Sequence, residues 1–67
     1  MVNVDLLDEA IAKSGLKRKY IAKEMGLTVA TFNNKSKNRS SFKVQEIPKL
    51  CKILGISNKK RDDIFLL

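Results

Sequence analysis

Between Lys13 and Lys43 the chain carries nine bases (Lys13, Lys17, Arg18, Lys19, Lys23, Lys35, Lys37, Arg39 and Lys43) against a single acid, Glu24. That block alone has a balance of +8, inside a molecule of net charge +7. Ammonium and guanidinium groups are poor agents of bond-making at neutral pH, but they hold phosphates and other anions well, and the concentration of uncompensated bases in one block implies a polyanionic partner. The bland alternative is a solvated basic face that serves solubility. Lys17, Arg18 and Lys19 add a sharper point, because they fall where a helix should begin. Bases at the positive end of a helix dipole cost roughly 0.3 kcal/mol or more each. Free backbone N–H groups beside three bases would together seat a phosphate.

Other chemistry has little to work with. There is no His and no Trp, and one Cys, Cys51. A lone cysteine forms no intramolecular disulfide, and without His a Cys/His zinc site is excluded. Cys51 has no visible base partner for a nucleophilic thiol and reads as a small buried hydrophobe. With no phosphate-cradling glycine loop and no room for a substrate pocket, the expectation is a non-enzyme with no cofactor, no metal and no small-molecule substrate. The 67 residues amount to one domain, 1–67, burying only ~60% of the surface its unfolded chain exposes. An apolar fraction of 43% argues against disorder. Met1–Glu9 has three acids and no base, the reverse of a signal-peptide start, and the longest apolar run, Ile64–Leu67, is far too short to span a membrane. A soluble, cytoplasmic domain with no membrane partner is expected.

Five short helices must position the basic block. Asn3 can cap a first helix whose Leu6, Leu7, Ala10 and Ile11 form one apolar stripe, closed by Gly15. A second, about Arg18 to Met25, buries Ile21, Ala22 and Met25 and ends at Gly26. Thr28 caps a third, through about Ser36, in which Phe32 is the one large apolar anchor and Thr31, Asn33, Asn34, Lys35 and Ser36 make a polar outer face. Such a helix depends on its neighbours and not on its own propensity. The segment 37–43 is a basic loop pinned by Phe42. A fourth helix, about Gln45 to Leu54, has Ile47, Leu50, Cys51 and Leu54 at core spacing and Pro48 in its first turn. Ser57 caps the last, Asn58 to about Phe65. No strand alternation, repeat or linker interrupts this all-α pattern.

Gly15–Leu16, Ile21–Ala22, Gly26–Leu27–Thr28, Phe32 and the stretch Leu50 to Ser57 together resemble the phage Cro/repressor-type helix-turn-helix family, over residues 15 to 57. The motif proper covers about 17–36, and the resemblance implies a compact lambda-repressor-like helix-turn-helix domain. Its physical requirements are met: Ala22 allows a close helix crossing, Gly26 can adopt the left-handed turn, and Thr28 caps the second motif helix. By this resemblance Arg18 takes the place of a phosphate-binding residue, usually Gln. Val29 and Ala30 take base-reading positions, with Asn34 a later one and Asn33 flanking. Asn binds adenine bidentately in the major groove, whereas Val and Ala can only meet a thymine methyl, which implies an A/T-leaning site of modest specificity. The expected phosphate contacts are Lys17, Arg18, Lys19, Thr28, Lys35, Lys37, Asn38, Arg39 and Lys43. Three departures stand out: Ser36 replaces a common Glu, Asn38 the usual Gly, and the next loop lacks its frequent Pro.

The resemblance further implies a transcriptional regulator of Cro-like phage or prophage repressor type, reading double-stranded, pseudo-palindromic operator DNA with helix 29–36. The apolar tail Ile64, Phe65, Leu66 and Leu67 can close the core or form a weak homodimer, formed only on DNA. The rival class is a small basic protein-interaction module, antitoxin- or antirepressor-like, that uses the same patch on an acidic protein. Tyr20 can either touch the DNA backbone or cover the edge of the core.

Overall fold

In the computed structural model, which describes residues 1–67, the chain forms α1 (Val4–Ser14), α2 (Arg18–Glu24), α3 (Val29–Ser36), α4 (Glu46–Leu54) and α5 (Asn58–Phe65) and no strand. The expected all-α bundle is therefore present, with element boundaries within a residue of those read from the sequence. The caps explain this accuracy. Asn3, Thr28 and Ser57 each hold an extended backbone and accept a hydrogen bond from the N–H three residues on, at Leu6, Thr31 and Lys60. Each thus satisfies a donor that its helix leaves orphaned.

The turn between α2 and α3 is built from backbone geometry. Gly26 has φ +72, and its N–H donates to the Lys23 carbonyl while that of Leu27 donates to Ala22, at 3.0 and 2.9 Å. This paired pattern closes a helix through a left-handed residue, a conformation that costs glycine nothing. Ala22, fully buried, lies on the α2 face packed against the core. Asn38 occupies the left-handed region as well, at φ +64, so the turn after α3 survives the loss of the expected glycine.

One apolar core joins all five helices. Leu7 of α1, Ile21 of α2, Phe32 of α3, Leu50 of α4 and Ile64 of α5 are its most enclosed large members, with Ile11 and Leu54 buried beside them. Leu6 and Ile47 are only partly buried and pack at the margin. Cys51 is buried, and loss of hydration pushes its thiol pKa up, as suits a small hydrophobe. Phe42 does pin the 37–43 loop, though it is partly and not fully buried. Its ring meets Phe32 and Phe65 edge-on, with centroids 6.3 and 5.6 Å apart. No helix is long and apolar enough to cross a membrane.

The tail divides. Ile64 and Phe65 are buried in the core of the single chain, the first of the two roles open to the tail, while Leu66 and Leu67 are exposed. The 3.6-residue period places both on the inner face of α5. Leu66 then turns left-handed, φ +58, and sends itself and Leu67 out to solvent.

Candidate nucleic-acid interface

The start of α3, before its anchor Phe32, stands clear of the core. Thr28, Val29 and Ala30 are exposed, Val29 to 43%, and no acid lies in the first turn. Thr28 Oγ1 accepts from the Thr31 N–H at 3.1 Å and also lies 2.9 Å from the Thr31 hydroxyl, so the cap is doubly engaged. Asn34, one turn on, is exposed, and its carboxamide oxygen has only a long contact from Arg39, 3.5 Å. Its amide is therefore free to turn toward a ligand. Asn33 differs: it is partly buried, and its oxygen accepts from Arg18 at 3.2 Å.

The second half of α3 is tied down. Lys35 and Ser36 are buried, contrary to the expectation of a polar outer face there. The Lys35 ammonium is 2.6 Å from Glu46 Oε1 at the start of α4, and its side chain is only 9% exposed. It cannot reach a phosphate without breaking that pair, and so leaves the expected contact set. Burial opposes the Glu46 charge, but the bonds from Lys35 and from the Lys43 N–H, at 2.8 Å, outweigh it and hold the carboxyl below its usual range. Asn38 is likewise engaged inward. Its oxygen accepts from the Val2 N–H at 2.8 Å and its amide donates to the Val2 carbonyl at 2.9 Å, which stitches the N-terminus to the end of α3. That side chain, too, is unavailable for a phosphate.

Arg18 does not point freely outward. Its guanidinium bonds Asp8 of α1 at 2.5 Å and Asn33 and Ser36 of α3 at 3.2 and 3.0 Å, and lies 5.7 Å from the centre of the Phe32 ring. A planar fork with five donors suits this three-helix junction, where an ammonium could not serve all partners. Asp8 also attracts Lys37, whose ammonium is 3.7 Å from its other oxygen. In the sequence Asp8 is only one of the three acids of Met1–Glu9. No periodic signal could have revealed the role, because its partners lie on other elements.

The remaining bases are exposed. Lys17 just before α2, Lys19 and Lys23 on it, and Lys43 in the loop make no ion pair, and Arg39 makes only the long contact to Asn34. The Arg18 bonds put the start of α2, with Lys17 and Lys19, against Asn33 and Ser36 of α3, and the shared Asp8 carboxylate brings Lys37, at the start of the 37–43 loop, beside them. Tyr20, half-exposed, instead lines a shallow depression with Leu16, Ile53, Lys49 and Lys52, between α2 and α4.

A protruding helix N-terminus, flanked by bases and preceded by a glycine turn from a shorter helix, is the geometry that lays a helix into a DNA groove. A model of the Cro/C1-type helix-turn-helix DNA-binding domain matches residues 7–58. The chain belongs to that family. The Cro/C1-type match runs from α1 to the first residue of α5, well beyond the two motif helices, so it takes in Asp8, Arg18, Lys35 and Glu46 together. As a member of this family the protein is a DNA-binding regulator whose partner is the double helix. No curated protein and no solved structure matches the chain significantly.

Proposed function

We propose that this protein is a sequence-specific repressor of Cro-like, phage or prophage type, which lays α3 in the major groove of an operator. The observation that carries the reading is the asymmetry of α3: Val29, Ala30 and Asn34 are exposed and its first turn is free of acids, while Asn33, Lys35 and Ser36 are fixed by polar ties. Val29, Ala30 and Asn34 face the bases, with Asn34 as the one strong hydrogen-bonding reader and Asn33 held back by Arg18. Lys17, Lys19, Arg39 and Lys43 hold the phosphates on the two flanks, and Thr28 closes the first turn of the helix. Binding falls steeply with salt, by ~0.9 in log K per log salt for each phosphate neutralised. With so few base contacts, specificity is modest and leans to A/T pairs through thymine methyls and one adenine.

Two copies bind a pseudo-palindrome. With Ile64 and Phe65 in the core, a weak subunit contact formed on DNA falls to exposed groups such as Leu66 and Leu67. The test is selection of bound duplexes from a random library at near-physiological salt. Two related half-sites about ten base pairs apart are the expected consensus. A single half-site would refute the dimer alone, and no enrichment would refute sequence reading.

A further inference from the structure

We infer that Asp8 is an internal stand-in for a DNA phosphate, which holds Arg18 and Lys37 in the free protein and limits how many phosphates the domain neutralises. The inference rests on the duplex-binding reading, and it assigns a role to a residue outside the two motif helices. Asp8 projects from α1, yet its two carboxylate oxygens face cations of two other segments: Oδ1 meets the Arg18 guanidinium at 2.5 Å and Oδ2 the Lys37 ammonium at 3.7 Å. One carboxylate between a guanidinium and an ammonium is the arrangement a backbone phosphate would make with the same groups. The site is not sealed. Roughly a third of each side chain reaches solvent, at 28%, 43% and 40% for Arg18, Lys37 and Asp8. A phosphate can therefore compete for these cations, but it must displace an anion already in place. For Lys37, whose contact is long, displacement is easy in distance yet brings no new neutralisation, because its charge was already answered.

The consequence concerns salt dependence more than fold. Exposed ion pairs add little stability, and Arg18 keeps its bonds to Asn33 and Ser36 without Asp8. A cation freed from Asp8 releases one more counterion-equivalent when it meets DNA, which steepens the salt slope by ~0.9. Asp8→Asn retains the shape and removes the charge.

The experiment measures affinity for a random-sequence duplex from 50 to 200 mM salt, for the wild type, Asp8→Asn and Asp63→Asn. Asp63 is exposed and forms no ion pair, so it controls for net charge alone. Expected is a slope steeper by ~0.9 or more in Asp8→Asn, an extra loss of about 3.5-fold across that fourfold salt range, and no change in Asp63→Asn. Equal effects of the two substitutions, or weaker binding by a folded Asp8→Asn, would overturn the inference. Lys37→Gln gives a second readout that does not need Asp8→Asn to fold. It should lower the wild-type slope by well under ~0.9, since Lys37 is already neutralised, and a full loss would overturn the inference too. A wild-type affinity insensitive to salt is a distinct result, which refutes the phosphate reading beneath it.

Discussion

Replacing Lys35 with Met keeps the apolar stem and removes the ammonium, leaving Glu46 buried with one remaining hydrogen bond, from the Lys43 N–H. Breaking a buried pair by removing one partner costs about 3–5 kcal/mol. Two features place this case at the low end. About a tenth of each side chain still reaches solvent, at 9% and 12%. The carboxyl can also escape by taking up a proton, which from a usual pKa of 4.5 costs about 3.4 kcal/mol at pH 7. The expected loss is thus about 3 kcal/mol, against a total of about 3–10 kcal/mol for a chain of this length. Thermal unfolding followed by circular dichroism should fall by about 12–24 °C, at about 4–8 °C per kcal/mol for so small a domain. The double variant Lys35→Met/Glu46→Gln should recover most of this, because Gln still accepts from Lys43 and carries no charge. The pH dependence fixes the cause. In the wild type the folded pKa of Glu46 lies below its unfolded value, so its stabilisation is present above pH 4.5 and is lost only as pH falls through the lower folded value. In Lys35→Met the folded pKa rises above the unfolded one, so stability is retained at low pH and lost as pH rises. The gap between the two proteins should accordingly narrow by about 1–3 kcal/mol from pH 7 to pH 5. A gap under about 1 kcal/mol at pH 7, or one that does not narrow, would refute the buried-pair reasoning.

Asn38→Gly removes two bonds to Val2, about 1 kcal/mol each, and relieves a left-handed backbone worth about 1 kcal/mol, so chemical denaturation should show a net loss of about 1 kcal/mol. A stabilised variant would mean that the Val2 bonds contribute nothing. Thr28→Ala should lower the unfolding free energy by about 1 kcal/mol through the lost α3 cap, and Thr28→Ser should leave it nearly unchanged. Asn34→Ala should reduce the ratio of operator to random-duplex affinity by about 1–3 kcal/mol, measured by competition binding. Equal losses on both duplexes would remove Asn34 from the base readers.

Much of the fold was legible because local chemistry specifies it. Asn3, Thr28 and Ser57 cap their helices through contacts three residues away, and the apolar stripe of α1 and α4 repeats within a turn or two. The start of α3 was legible from its cap at Thr28 and its single anchor at Phe32, whereas Val29, Ala30 and Asn34 were singled out by the family resemblance, and all three are exposed. Sequence reasoning went astray where a polar residue found its partner on another element. Lys35 and Ser36 read as outward because α3 alone offers them nothing, yet Glu46 lies eleven residues on and Arg18 eighteen residues back. Nothing in helical periodicity marks a lysine as half of a buried pair. Arg18 was assigned by position to a phosphate, and the acid that claims it, Asp8, lies outside the motif that suggested the assignment. The tail failed differently. Four apolar residues look alike, and only the left-handed turn at Leu66 separates two core residues from two exposed ones.

On the proposed reading, these polar ties would let so short a helix aim side chains at base edges. An eight-residue helix with one large apolar anchor has no stability of its own, and Phe32 alone would leave it free to roll about its axis. Apolar packing tolerates such rotation because dispersion contacts are weakly directional, whereas hydrogen bonds weaken steeply off axis. Ser36 and Asn33 bind Arg18 of α2, Lys35 binds Glu46 of α4, and Asn38 binds Val2, so the far end of α3 is referenced to three parts of the molecule in three directions. The helix is thereby fixed at its C-terminal end and presents its N-terminal end as a rigid projection. Any error in those ties is carried along the helix axis to Val29 and Ala30, about 1.5 Å per residue away. If α3 reads bases as proposed, residues that never meet a base govern how well they are read, and Lys35, although withdrawn from the phosphates, belongs to the recognition apparatus by this route.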